Sequence, residues 1–180
     1  TQMASVRRGV VIAVLGAGPL LDATESDIQR AIGRHVLVSH RLLQMMLPGM
    51  RAAGYGRIIN VLSSSVREPI PGLGVSNLTR AAMASWAKSL SRELPPGVTI
   101  NCVLPGKIDT GRLGEIKAAF ASRAGVSEEE IAASWIREIP EGRLGTTEEI
   151  GGVIAFLASE AGAFVRGVCL PVDGGQLRSI

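Results

Sequence analysis

Three polar residues near the middle of the chain carry side chains that can hold an oxygen-rich ligand. Ser63 ends an apolar segment at 56–62 that reads as a turn followed by a strand, and Ser76 and Arg80 follow 13 and 17 residues later. A spacing of four residues places Ser76 and Arg80 on one face of a helix. A hydroxyl is a neutral donor, whereas a guanidinium is a fixed cation that cannot relay protons. The three residues therefore predict a site that binds and orients an oxygen atom.

The elements around these residues alternate between strands and helices. A continuous apolar run typical of a buried parallel strand occurs at 9–15, and further strands are predicted at 57–62, 98–104 and 168–172. Amphipathic or capped patterns predict helices from Thr24 to about 46, where Pro48 interrupts the pattern, and over 76–93, 127–139 and 147–159. Residues 65–74 are predicted to form a loop. The order predicts an α/β fold, a Rossmann-like parallel sheet with helices on both faces.

The order and spacing of four segments resemble the short-chain dehydrogenase/reductase family over about residues 22–176. In that family a strand-end serine is followed by a tyrosine and a lysine at the positions that Ser76 and Arg80 occupy here. Residues 101–110 look like the family's segment that ends in Pro-Gly-x-x-x-Thr. Residues 143–159 and 172–175 are similar to its C-terminal helix and strand.

The resemblance implies roles for the residues at the matching positions. In the family, the tyrosine transfers the substrate proton, the lysine lowers the pKa of that tyrosine, the serine holds the substrate oxygen, and a helix asparagine completes a water relay. The match puts His35 at the asparagine position. General acid–base catalysis contributes roughly 10²–10⁴-fold, so replacing the tyrosine and the lysine should severely impair ordinary hydride transfer. His35 is the residue that could carry a proton instead.

Each candidate also has a structural interpretation. His35 could be a helix residue that is hydrogen-bonded to nearby backbone, Ser63 could cap a turn, and Ser76 could be a helix N-cap. Arg80 either anchors a ligand or pairs with a carboxylate such as Glu68 or Asp109. The sequence leaves both interpretations of each residue open.

The predicted cofactor contacts are incomplete. By the resemblance, Pro105, Gly106, Ile108 and Thr110 would line the nicotinamide end of a dinucleotide. Gly16 and Gly18 form only a Gly-x-Gly, without the later glycines that let a pyrophosphate approach the backbone. The strand before Gly16 matches either the family's fourth strand or its first strand with a deletion after it. Both interpretations predict weak or absent affinity for NAD(P) by this chain alone.

Composition limits the other function classes. The length of 180 residues predicts a single domain over residues 1–180. The composition is 46% apolar and 3% aromatic with a net charge of +3, and it gives no support for nucleic-acid binding. Cys102 and Cys169 have no metal-ligand spacing and lie in apolar runs, so we interpret them as buried free thiols and expect no metal site. No apolar stretch approaches the length of a membrane span. A cytoplasmic protein is the resulting expectation.

Three functions remain open at this stage. The first is an oxidoreductase by descent with a non-standard active site, acting on a small carbonyl or hydroxyl compound. The second is a non-redox catalyst, an isomerase, dehydratase or cyclase. The third is an inactive binding or assembly protein.

The sequence also predicts how the strands and the chains associate. The strand at 10–15 should pair in parallel with 57–62, which should pair with 98–104, with 168–172 on the far side. A ligand should lie at the carboxyl ends of these strands, under an apolar flap over 107–124 that includes Leu113, Ile116 and Phe120. A homodimer or homotetramer is expected, because a reduced sheet leaves an apolar edge.

Overall fold

The computed structural model of the chain describes residues 18–179. The strands are β1 Gly56–Val61, β2 Val98–Pro105 and β3 Cys169–Val172. The helices are α1 Glu25–Ile32, α2 Val38–Ala53, α3 Gly74–Glu93, α4 Gly111–Ala124, α5 Glu128–Arg137 and α6 Thr147–Ala158. Single turns of 3₁₀-helix lie at Leu20–Asp22, Ser64–Val66 and Glu160–Gly162. Within the described residues, no helix is both long and apolar enough to cross a membrane.

The strands form a parallel sheet in the order β1-β2-β3. This confirms the predicted α/β class and the predicted order of these strands, whereas the predicted strand at 10–15 lies outside the described residues. The central strand β2 is covered on both faces. Ile100 and Leu104 belong to a core cluster shared with α2 and α3, and Val103 belongs to a second cluster with α6.

The first long helical region is longer than predicted. Thr24 caps α1 through a reciprocal capping box with Asp27, as its spacing indicated. A π-helical turn over Gly33–Leu37 joins α1 to α2. The predicted end near residue 46 is wrong, because the helix continues through Pro48 to Ala53. Partly buried Leu47 and Met50 pack against the core on either side of the proline, so tertiary contacts hold the helix past the lost hydrogen bond.

Two further boundaries depart from the sequence-based prediction. The α3 helix begins at Gly74, two residues earlier than expected. The segment predicted as a flap contains α4, which the apolar pattern did not predict as a helix. Thr110 caps it by accepting a hydrogen bond from the Leu113 backbone N–H, and Gly125 ends it with a φ of 68°. The aromatic ring of Phe120 meets Trp135 of α5 edge-on at 6.1 Å.

The capping box predicted for Ser127 and Glu130 is confirmed, and α6 begins at Thr147 as expected, behind a capping box that the sequence did not predict. Ser127 and Glu130 form the capping box of α5, and Thr146 and Glu149 form that of α6. These helices bring residues 143–149 beside the segment that follows β2, where the Asp109 N–H donates to the Gly145 carbonyl at 2.9 Å. The carboxyl ends of β2 and β3 are thereby closed by short backbone connections.

Candidate active site

Arg80 connects α3 to the carboxyl end of β1. Its Nη1 donates a 2.6 Å hydrogen bond to the carbonyl of Leu62, the residue that follows β1. Its Nε donates to Ser76 Oγ at 3.2 Å, one turn earlier on the same helix. The i, i+4 spacing of Ser76 and Arg80 therefore predicted their contact correctly. The structure places both residues beside the strand that leads into Ser63.

The positive charge of Arg80 has no carboxylate partner within residues 18–179. The predicted pairing with Glu68 or Asp109 is wrong: Glu68 instead accepts hydrogen bonds from the backbone N–H groups of Arg178 and Ser179. Burial and the nearby charge of Arg112 lower the pKa of Arg80 from its usual value. A guanidinium still keeps its proton in such surroundings. Within residues 18–179, the Nη2 group of Arg80 donates to no protein acceptor.

The two serines act as hydrogen-bond acceptors toward the protein. Ser63 Oγ accepts from the Ser65 backbone N–H at 3.1 Å and so caps the 3₁₀ turn, which is the capping role left open above. Ser76 is buried in the first turn of α3, but the N-cap residue is Leu73, so the prediction that Ser76 caps the helix is wrong. Each hydroxyl can still donate its own proton to a ligand.

His35 lies in the π-helical turn between α1 and α2. Its Nε2 is buried and has no hydrogen-bond partner in the described part of the chain. Burial and the positive charge of Arg80 lower the pKa of His35 below its usual 6.5. The lowered pKa favours the neutral imidazole at pH 7. Turns of π-helix are frequent at functional sites.

The segment from Pro105 to Thr110 uses several of its polar groups within the fold. Pro105 pairs with Val172, and the Gly106 N–H donates to the Val172 carbonyl at 3.0 Å. A methyl group on Gly106 would come within 2.7 Å of the Asp173 Cβ, so this glycine permits a close approach of β2 to the residues after β3. Ile108 forms an isolated parallel bridge with Gly145. Thr110 caps α4, as described above.

The described residues do not fit a dinucleotide pyrophosphate. Gly16 lies outside them, and the Gly18 N–H donates to the Gly72 carbonyl at 2.7 Å. The N-terminus of α1 is closed by the Asp27 carboxylate, which accepts from the Thr24 N–H. A phosphate site needs free backbone donors and no carboxylate of its own.

A second group of charges surrounds a cavity of about 340 Å³ beyond the ends of β2 and β3. It is lined in part by Lys107, Arg143, Glu149 and Asp173. Lys107 Nζ lies 2.7 Å from Glu138, and Arg143 Nη2 lies 2.6 Å from Glu149. The Asp173 carboxylate accepts from the backbone N–H groups of Gly175 and Leu177. Lys107 and Arg143 are thus paired with carboxylates, whereas the Asp173 carboxylate is held by backbone donors.

Sequence reasoning missed two features of the site. The Leu62 carbonyl that receives Arg80 carries no sequence signal, because any residue supplies a backbone oxygen. Arg112, whose charge acts on Arg80, had a weak signal: it lies two residues after the N-cap Thr110, on the same side of the sheet as the other strand ends. Residues 18–179 contain no group of three or more His, Cys, Asp or Glu side chains placed to hold a metal ion.

Comparisons with known proteins agree with this architecture. The family model described as "Enoyl-(Acyl carrier protein) reductase" matches residues 9–176. The chain is 33% identical to the 2,3-dihydroxy-2,3-dihydro-p-cumate dehydrogenase of Pseudomonas putida, covering 88% of this chain and 58% of that protein. It is 36% identical to the 3-oxoacyl-[acyl-carrier-protein] reductase FabG of Pseudomonas aeruginosa, covering 78% and 53%.

Solved structures show the same fold. The NADPH-dependent reductase YwfH, involved in bacilysin biosynthesis, superposes with a TM-score of 0.87 at 25% identity, over 94% of this chain and 65% of that one. The L-sorbose reductase of Gluconobacter frateurii gives a TM-score of 0.83 at 27% identity, over 93% and 65%.

A parallel sheet with helices on both faces, together with these matches, defines an α/β protein with a Rossmann-like sheet. The chain belongs to the short-chain dehydrogenase/reductase family. It spans about three-fifths or less of the length of the curated relatives named above.

Proposed function

We propose that residues 1–180 form one short-chain dehydrogenase/reductase domain that acts on a small carbonyl or hydroxyl compound through a non-standard site made of Ser63, Ser76, Arg80 and His35. The observation that carries the proposal is the arrangement of Arg80. Its guanidinium is fixed at the carboxyl end of β1 by Leu62 and Ser76, without a carboxylate in the described residues. Arg80 is partly buried, and a cation withdrawn from water without a counter-charge is costly unless an oxygen ligand shares its charge.

The proposed roles follow from the donors that remain. Arg80 Nη2 presents a charged N–H to a ligand oxygen, and Ser63 presents a neutral O–H. Ser76 orients the guanidinium through Nε. These contacts bind and polarise a carbonyl or hydroxyl oxygen. They supply no proton, because a guanidinium does not titrate at neutral pH and a serine hydroxyl is a weak acid.

His35 supports a second candidate, a non-redox reaction that moves a proton on the bound compound. Its neutral imidazole has an unpartnered Nε2 and lies near enough to Arg80 to be affected by its charge. A neutral imidazole can accept a proton, and a neighbouring cation stabilises an oxyanion formed at the same time. An inactive binding protein is the remaining alternative, and it differs from both in showing no turnover of a bound compound.

We propose that this chain alone binds NAD(P) weakly or not at all. It is supported by the engaged Gly18 N–H and by the carboxylate at the start of α1. Isothermal titration calorimetry with NADH and NADPH should give affinities weaker than micromolar. Micromolar or tighter binding would overturn the proposal and restore ordinary hydride transfer as the first candidate.

The proposal for assembly is a homodimer or homotetramer. Apolar side chains on the surface of the described residues support it: Val61 at the end of β1 is 50% exposed, and Met45 on α2 is 77% exposed. Such apolar surface favours association. Light scattering that shows a stable monomer at micromolar concentration would contradict it. The predicted cytoplasmic location stays a prediction.

The proposed site is tested by ligand binding with matched arginine variants. Cyclohexanol and L-sorbose, the compounds named in two relatives, and cyclohexanone are added as a mixture, and binding is read by saturation-transfer NMR. We expect at least one compound to bind the wild-type chain and Arg143→Met, to bind Arg80→Lys more weakly, and not to bind folded Arg80→Met. Unchanged binding by Arg80→Met, or no binding by the wild-type chain, contradicts the proposal.

A further inference from the structure

The two cysteines of the chain stand opposite each other on neighbouring strands. Cys102 of β2 and Cys169 of β3 are register partners in the parallel ladder, so their side chains stand side by side on one face of the sheet. Neighbouring strands lie about 4.8 Å apart, which falls within the range of about 4.4–6.8 Å between Cα atoms that a disulfide spans. Asn60 of β1 continues the row, with Nδ2 at 3.9 Å from Cys102 Sγ. The positions thus permit a direct sulfur–sulfur bond.

The two thiols differ in exposure. Cys102 is 1% exposed, within the core cluster between the sheet and α3. Cys169 is only half-buried, at the first position of β3, which corrects the expectation that both thiols are buried. Cys169 is therefore the more accessible of the two residues to a small oxidant.

Two cations flank Cys169. Arg67 Nη2 donates to the Cys169 carbonyl at 3.3 Å, and Lys88 Nζ donates to the Gly167 carbonyl at 2.9 Å. The neighbouring Cys102 thiol, followed by these two positive charges, lowers the pKa of Cys169 to about 7. The neighbouring Cys169 thiol and burial raise the pKa of Cys102. Reactive cysteines have this partly exposed, electropositive environment.

We propose that Cys169 and Cys102 form a peroxide-responsive dithiol that closes to a disulfide between β3 and β2. The Cys169 thiolate attacks one oxygen of hydrogen peroxide, the O–O bond breaks, and the departing hydroxide is protonated to water. Cys169 becomes a sulfenic acid. The Cys102 sulfur then attacks the Cys169 sulfur, the S–O bond breaks, and the Cys102 proton leaves with that oxygen as a second water. Two thiols lose two electrons, and one peroxide accepts them.

The disulfide would act on the edge of the sheet that β3 forms. β3 has only four residues and pairs with β2 alone among the described strands. A covalent bond at its first residue fixes this edge strand to the centre of the sheet. The oxidised chain should therefore unfold at a higher temperature than the reduced chain. This inference does not depend on the proposed function, because neither cysteine belongs to the proposed site.

The test is oxidation of the purified, reduced chain with a small excess of hydrogen peroxide, read by intact mass and by peptide mapping. We expect a mass lower by two hydrogen atoms and a peptide joined through Cys102 and Cys169. Cys102→Ala should instead give a sulfenic acid on Cys169 that dimedone traps, and Cys169→Ser should react several-fold more slowly. Arg67→Met combined with Lys88→Met should slow oxidation several-fold near pH 7 and much less near pH 9.

Three results would overturn the inference. One is a wild-type chain that keeps both thiols under these conditions. Another is a disulfide between two chains in place of the internal bond. The third is equal oxidation rates for Cys102→Ala and Cys169→Ser, because the proposal makes Cys169 the reacting thiolate.

Discussion

The carboxyl end of β1 and the carboxyl ends of β2 and β3 both carry charged side chains, but the charges are arranged differently. Beyond β2 and β3, Lys107 and Arg143 each meet a glutamate, around a cavity of about 340 Å³. Beyond β1, Arg80 is held by a carbonyl and a hydroxyl, neither of which neutralises it. In this molecule the unbalanced charge of Arg80, rather than the cavity beyond β2 and β3, marks the candidate site.

Close backbone packing is a second feature of the carboxyl ends of β2 and β3. Disrupting it should have the largest effect on the free energy of unfolding. In Gly106→Ala, the new methyl group would meet the Asp173 backbone and Cβ at 2.7–2.8 Å. Forcing atoms into such a contact typically costs about 1–3 kcal/mol. We expect the free energy of unfolding, measured in urea, to fall by about that amount.

Gly114→Ala is the matched control for this substitution. Gly114 lies inside α4, and nothing lies within 4 Å of its Cβ position. Alanine there should stabilise the chain by about 0.5–1 kcal/mol. Equal effects of the two substitutions would show that the ends of β2 and β3 are not tightly packed.

The second largest effect is a difference in stability between variants of Arg80 and Arg143. Arg80→Met leaves the carbonyl of buried Leu62 without its donor, which costs about 1–3 kcal/mol. Arg143→Met breaks an exposed ion pair with Glu149, and such pairs contribute little to stability, so the free energy of unfolding should stay essentially unchanged. Urea unfolding of both variants measures the difference. A larger loss from Arg143→Met would reverse the comparison.

The smallest effect is a pH dependence from His35. Its pKa is lowered in the folded chain, so the unfolded chain binds the proton more tightly. Stability must then fall as pH decreases below 6.5, the value for an unperturbed histidine. The carboxylates with lowered pKa values, such as Asp27 and Glu149, lose their contribution only at more acidic pH.

Replacement of His35 isolates this contribution. In His35→Gln, the unfolding free energy should change less between about pH 7 and pH 5 than in the wild-type chain, because the titrating group is gone. An unchanged slope would place the imidazole away from the Arg80 charge. Thermal or urea unfolding at a series of pH values provides the measurement.

The sequence predicted the elements whose signals are local. The capping pairs at Thr24 and Ser127, the strand segments of β1 and β2, and the contact between Ser76 and Arg80 depend on residues close together in the chain. The continuation of α2 through Pro48 was not predictable in this way, because packing of Leu47 and Met50 against the core sustains it.

The site was less predictable than the fold for a similar reason. The partners of Arg80 include a backbone carbonyl, which no sequence pattern identifies, and the expected carboxylates lie elsewhere or bond elsewhere. The pairing of Cys102 with Cys169 required the strand register, since the two residues are far apart in sequence. Long-range contacts, rather than local propensity, determine both features.

The central claim is that Arg80, and not Arg143, receives an oxygen-bearing ligand. The most direct measurement is ¹H–¹⁵N NMR of the arginine Nε–Hε groups, assigned with Arg80→Met and Arg143→Met, during titration with whichever of cyclohexanol, cyclohexanone and L-sorbose binds. We predict that the Arg80 signal shifts in a saturable way while the Arg143 signal stays in place. An unshifted Arg80 signal with a bound compound, or a shift confined to Arg143, would contradict the claim.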